Sequence, residues 1–236
     1  MKNIKLYELE ETYHNEESSL EYPTVSYTKD TEKVWYMEPS LYEWVDLGLP
    51  SGLKWAAWNV GATKPEEFGL YFAWGETQGY TGITDTKQFK WSDYTLCDGT
   101  SSNMLKYNAT DGLTTLEASD DAAYATDNTC RMPTSGECAE LTANTTSEWV
   151  EDYNGTGVAG RIFTSNVNGN SIFVPAAGGC VSGSVNSVGQ CGVLWSSSLY
   201  SSGVRGACGL GFMSDSVGVN IGDTRCYGLP VRAVKE

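Results

Sequence analysis

From Cys208 to Met213 the apolar side chains Leu210 and Phe212 fall at even positions, and from Ser216 to Gly222 the apolar Val217, Val219 and Ile221 fall at odd ones. Alternation with a period of two predicts two strands, each with one apolar face. Their opposite faces carry Gly209, Gly211 and Met213 on the first strand and Ser216, Gly218, Asn220 and Gly222 on the second. Glycine inside a strand costs about 0.5–1 kcal/mol relative to alanine, so sheet stability does not select this face. A bulge or a close backbone approach explains a single such glycine. The whole set calls for a further reason.

The same reading extends upstream. Val45, Leu47 and Leu49 share one face of a strand, and Pro50-Ser51-Gly52 turns the chain into Leu53-Lys54-Trp55-Ala56-Ala57-Trp58. Arg161 to Thr164 and Ser171 to Val174 enclose Asn168-Gly169, the strongest short-range hairpin signal. Thr134 and Glu137 have capping-box spacing, which starts a helix that packs Cys138 and Leu141. Asp120 and Asp121 sit over the first turn of a shorter helix near Ala122, where capping accounts for the carboxylate pair better than acid/base chemistry. Residues 78–113 lack periodicity and read as a long loop region held by Phe89, Trp91 and Tyr94. Near the start, Tyr22 to Tyr27 and Lys33 to Met37 flank a polar turn and predict a β-hairpin behind an acidic stretch. Trp44, Trp55, Trp58 and Trp74 form an aromatic core, with a sugar-stacking platform as the functional alternative.

Composition narrows the partners. With 236 residues, 40% of them hydrophobic, the chain can bury one substantial core beside a small appendage. Thirty acidic against 15 basic residues give a formal charge of −15, which disfavours nucleic acid and anionic lipid. No apolar run reaches the ~20 residues of a membrane span, and Met1 to Lys5 leads into acidic residues rather than a secretory apolar stretch. The expectation is a protein without membrane insertion or an export signal. Seven cysteines cannot all pair within the chain, show no CxxC spacing, and share the sequence with a single histidine, His14. A zinc site is disfavoured. Most are expected as free thiols, with a Cys191–Cys208 or Cys180–Cys226 bridge left open. Ser-His or Cys-His catalysis lacks an imidazole in the main domain, and no phosphate-binding glycine loop follows a strand.

Several long strings then converge. Val45-Asp46-Leu47-Gly48-Leu49-Pro50-Ser51-Gly52-Leu53-Lys54-Trp55-Ala56, Gly69 to Thr77, Arg131-Met132-Pro133-Thr134 with its helix, Trp195-Ser196-Ser197-Ser198 and Tyr227 to Arg232 occur in this order. Together they resemble the major paralogous domain family of gut Bacteroidetes and their phages, similar in fold to C-type lectins and formylglycine-generating enzymes. Cys138 departs from the tryptophan usual in that family's helix. The resemblance implies an α+β C-type lectin fold over 42–236, preceded by an acidic segment and hairpin over 1–41. That segment resembles one near the start of many gut-phage structural proteins, which implies attachment to other virion proteins.

Some members of the family resemble targets of diversity-generating retroelements, in which adenines of chosen codons are randomised over a fixed frame. An Asn or Tyr at such a codon readily becomes Ser, Gly, Cys, Val, Asp or Arg. This implies a variable region over about 178–228 and a ligand-binding set of Val181, Gln190, Cys191, Val193, Tyr200, Arg205, Gly206, Cys208, Gly209, Gly211, Met213, Ser216, Gly218, Asn220, Asp223 and Cys226. Met213 and Gln190 are not products of an Asn codon. The expected function is non-catalytic binding of a bacterial surface protein or glycan by a phage receptor-binding or adhesin component, without cofactor or metal. Its expected location is the virion, assembled in the bacterial cytoplasm. A bacterial cell-surface adhesin or carbohydrate-binding module is the second reading, and a formylglycine-generating-type oxidase the third.

Overall fold

The computed structural model describes Ser26, Tyr27, Val34, Trp35 and residues 41–236. The chain divides into two compact units, Met1–Leu41 and Tyr42–Glu236. In the first, β1 (Ser26–Tyr27) and β2 (Val34–Trp35) pair antiparallel, Ser26 opposite Trp35 and Tyr27 opposite Val34. The acidic stretch before β1, including His14, lies outside the described residues.

The second unit is α+β, built from small antiparallel sheets and two α-helices. β3 (Trp44–Asp46) and β4 (Lys54–Ala56) form the turn-linked pair expected from the sequence. β5 (Tyr71–Phe72) follows. Residues 78–113 then hold no strand, only a turn of 3-10 helix at Trp91–Asp93, anchored by the buried rings of Phe89 and Tyr94. α1 (Ala122–Thr126) is capped by Asp121, whose carboxylate accepts from the Ala123, Tyr124 and Met132 amides. Asp120 instead pairs with Lys106. α2 (Ser135–Asn144) begins at Thr134 with the capping box complete and buries Cys138 and Leu141. No helix among the described residues is long and apolar enough to cross a membrane.

β6 (Thr145–Val150), β7 (Gly160–Ser165) and β8 (Ser171–Pro175) form a three-stranded sheet. Gly169 takes the left-handed conformation in the β7–β8 connection (φ +77°), while the Asn168 side-chain amide donates to the Asp46 carbonyl. β9 (Gly179–Val181) and β10 (Ser184–Asn186) make a short hairpin. β11 (Cys191–Leu199), β12 (Gly206–Met213) and β13 (Val217–Thr224) form the second three-stranded sheet, with β12 central. The C-terminal strands pair with the opening strands of this second unit: β14 (Leu229–Pro230) with β5 and β15 (Val234–Lys235) with β4.

Tryptophans tie the β11 strand to the early block. Trp195 and Trp74 are fully buried, and their indole N–H groups donate to the Phe72 and Ser196 carbonyls at 2.8 Å each. Trp55 is equally buried, while Trp44 and Trp58 pack half-buried against the core. Core filling therefore accounts for Trp55 and Trp74, while Trp44 and Trp58 keep part of their surface exposed.

Leu194, Leu210 and Phe212 face a cluster with Leu141, Phe163 and Ile172. Phe212→Ala is expected to cost about 3–5 kcal/mol in chemical denaturation. Gly218→Ser is expected to cost little, because an added Cβ meets only Ile221 at ordinary contact distance, 3.4 Å. The opposite order of cost would show that the face of the sheet carrying Phe212 is not the one that holds the core.

Candidate ligand-binding surface

One face of the β11–β13 sheet packs on the core cluster of α2, β7 and β8; the other is covered at Trp195 and Ala207 by a second cluster, on which Val193 also packs, and is open only towards Met213 and β13, and the division differs from simple alternation. Leu210 pairs with Val219 whereas Gly209 pairs with Ile221, so Asn220 is an extra residue, a bulge with φ +58°. The bulge reverses side-chain direction after Val219. Of the five apolar residues expected on one face, Leu210, Phe212, Val217 and Val219 pack on the same cluster, and Ile221 emerges on the other side, 37% exposed.

On that open face Cys191 lies opposite Met213, and Val193 opposite Gly211. Gly209 and Gly211 are buried rather than displayed, because neighbouring side chains reach across them. A Cβ on Gly211 would meet Ile221 Cδ1, and one on Gly209 would lie 3.1 Å from Val193 Cγ1. Gly209 is confined further by the Leu194 carbonyl oxygen at 2.9 Å, so any side chain there requires a backbone shift. It is a close-approach glycine. At Gly211 the obstacle is the far end of a flexible side chain, which can move aside. Met213, Ser216, Asn220 and Gln190 are exposed, and Cys191, Val193 and Gly218 half-buried.

Two further positions expected at the surface are buried. Cys208 follows the inward parity of Leu210, is 5% exposed, and its thiol donates to the Leu199 carbonyl. Cys226 is 1% exposed in a cluster with Phe89, Tyr94, Cys97 and Cys180, where burial pushes its thiol up to about 12. Neither contributes to a surface. Val181 is half-buried on the β9–β10 hairpin, not on the three-stranded sheet.

At the β11–β12 turn the remaining positions meet. Tyr200, Arg205, Gly206 and Asp223 line an open cleft of about 520 Å³ together with Gly222 and Thr224. A neighbouring cleft of about 340 Å³, bounded by Asn108, Leu113 and Thr114, shares Tyr200, Gly203 and Val204 with the first. The Tyr200 ring rests on Gly222, where a Cβ would come within 2.7–2.8 Å of three ring carbons. Arg205 is exposed; Asp223 is half-buried, and burial raises its carboxyl above the usual range. Sequence reasoning missed Ile221 as a surface residue and the whole 108–114 wall, because spatial proximity, not local pattern, brings them here.

All seven cysteines are free. Burial raises the thiols of Cys130, Cys138, Cys180 and Cys226 to about 12 and raises Cys191 and Cys208 as well. Thiols kept protonated at neutral pH are poor nucleophiles. Among the described residues no group of three or more His, Cys, Asp or Glu is placed to hold a metal ion. At pH 7.5 a chromogenic disulfide reagent is expected to titrate no more than one thiol quickly in the folded protein, that of Cys191, and all seven after unfolding. Two or more fast native thiols, or fewer than seven after unfolding, would contradict this arrangement.

The chain matches no protein-family model, no curated protein and no solved structure.

Proposed function

We propose that this chain is a non-catalytic ligand-binding protein of the C-type lectin fold, diversified by a retroelement and acting as a receptor-binding or adhesin component of a gut phage particle. The observation that carries the reading is the separation of frame from surface within one sheet. Leu194, Leu210, Phe212, Val217 and Val219 pack into the core. Cys191, Met213 and Gly218 lie on the open part of the opposite face, Val193 packs partly against a second core cluster there, and Tyr200, Arg205, Gly206 and Asp223 line the adjoining cleft. Substitution on the open face leaves the core set unchanged, which a retroelement target requires. Residues 1–41 attach the unit to other virion proteins in this reading, and the ligand is a bacterial surface protein or glycan. The charge of −15 disfavours nucleic acid as a partner.

Large planar side chains dominate recognition hot spots, which singles out Tyr200 and Arg205. The test uses fluorescently labelled full-length protein on a panel of gut Bacteroidetes cells. Saturable binding to a subset of strains is expected. Tyr200→Ala and Arg205→Ala are each expected to weaken it by about 30-fold, the equivalent of about 2 kcal/mol. Binding to no strain, or binding that survives both substitutions, would overturn the assignment of the surface.

A further inference from the structure

The two clefts are bounded by segments far apart in sequence, 200–206 and 108–114, and one buried side chain bonds to the first and to residues 106–107 that lead directly into the second. Arg225 follows β13 and is fully buried. Among the described residues it makes no salt bridge; the nearby buried carboxylate of Glu76 is engaged by Lys87. Its guanidinium donates from Nη1 to the Val204 and Tyr107 carbonyls at 3.0 and 3.1 Å, and from Nη2 to the Lys106 carbonyl at 3.0 Å. Its Nε donates to the Tyr94 hydroxyl at 3.0 Å, and its backbone N–H to the Arg205 carbonyl. The Trp74 ring lies 4.8 Å from the guanidinium carbon.

We propose that Arg225 is the positioning residue of the ligand-binding surface, clamping the 200–206 loop and the 106–107 segment from beneath without touching a ligand. The proposal rests on the display reading above and adds how that surface keeps its shape. Every bond from the clamp to the cleft loops ends on a main-chain carbonyl. Main-chain acceptors are the same whatever side chain the residue bears, so the clamp is blind to sequence. Arg205 can be exchanged for any residue compatible with its backbone while its own carbonyl stays bonded to the Arg225 amide. A buried cation with only neutral acceptors is costly, and a planar five-donor fork is the side chain that reaches several fixed carbonyls at once. Lysine keeps the charge but not the fork.

The test is hydrogen exchange, read by mass spectrometry on the full chain without ligand. In Arg225→Lys, amides in 200–206 and 104–109 are expected to exchange at least about tenfold faster, while those of α2 and β6–β8 keep their protection. Tyr94→Phe, which removes the Nε acceptor along with the hydroxyl's own bond to the Trp74 carbonyl and leaves the three carbonyl bonds of the guanidinium in place, is expected to shift the same two segments by a smaller factor and serves if Arg225→Lys does not fold. Arg205→Ser is expected to leave exchange in both segments unchanged. A uniform rise across the domain, no rise in the two segments, or a rise caused by Arg205→Ser would overturn the clamp. Because no ligand is used, these outcomes are independent of the cell-binding result: loss of the clamp leaves the display reading standing, and absence of cell binding leaves the clamp standing.

Discussion

Arg232 is completely buried, and burial pushes its guanidinium down to about 9, still charged at neutral pH. A cation in that position is stable only where fixed acceptors replace water. Asn59 Oδ1 accepts from Nε at 2.8 Å, and the Ala56 and Phe173 carbonyls accept from the two terminal nitrogens at 3.0 Å each. Those acceptors belong to the opening block, to the residues just after it, and to β8. Solvating the charge with these acceptors sets the C-terminal segment against β4 and β8. The pairing of β14 with β5 and of β15 with β4 accompanies it.

With its ends fixed, the final third of the chain can hold a surface without contributing that surface to stability. Trp195 and Ser196 bond across to Phe72 and Trp74, and the inward residues of β11 to β13 complete a cluster with α2 and β8. On the opposite face Trp195 and Ala207 join a second cluster, and what remains beyond them is small, flexible or exposed. Ile221 shows how thin the division is: the single extra residue at Asn220 turns a core-type side chain outward over a glycine floor. A shallow apolar patch beside a polar cleft suits a surface whose composition changes between copies. In the proposed reading, the specificity of any one copy resides in a few side chains around Tyr200.

Features that depend on neighbours in sequence were legible in the sequence. The Thr134–Glu137 capping box, the Asn168-Gly169 connection and the parity of Leu210 and Phe212 need only residues a few positions apart. Features that depend on register or on distant partners were not. Parity beyond Val219 fails because a bulge is a property of the β12–β13 pairing, and Asn220 alone does not announce it. Cys208, Gly209, Gly211 and Cys226 looked like displayed positions because small residues in a strand are ambiguous between display and close packing. Only the reach of Val193 and Ile221 and the cluster around Cys226 resolve them. Arg225 carried no local mark at all, since its side-chain partners lie 21 to 131 residues away.

The central claim is that buried frame and open surface are separable along one sheet. It is tested most directly by a saturation scan of residues 190–232 read for folded abundance, independent of any ligand. Gln190, Arg205, Met213, Ser216 and Gly218 are expected to accept most substitutions, whereas Trp195, Cys208, Gly209, Leu210, Phe212, Arg225 and Arg232 accept few. Equal tolerance in the two sets, or intolerance concentrated in the first, would contradict the separation.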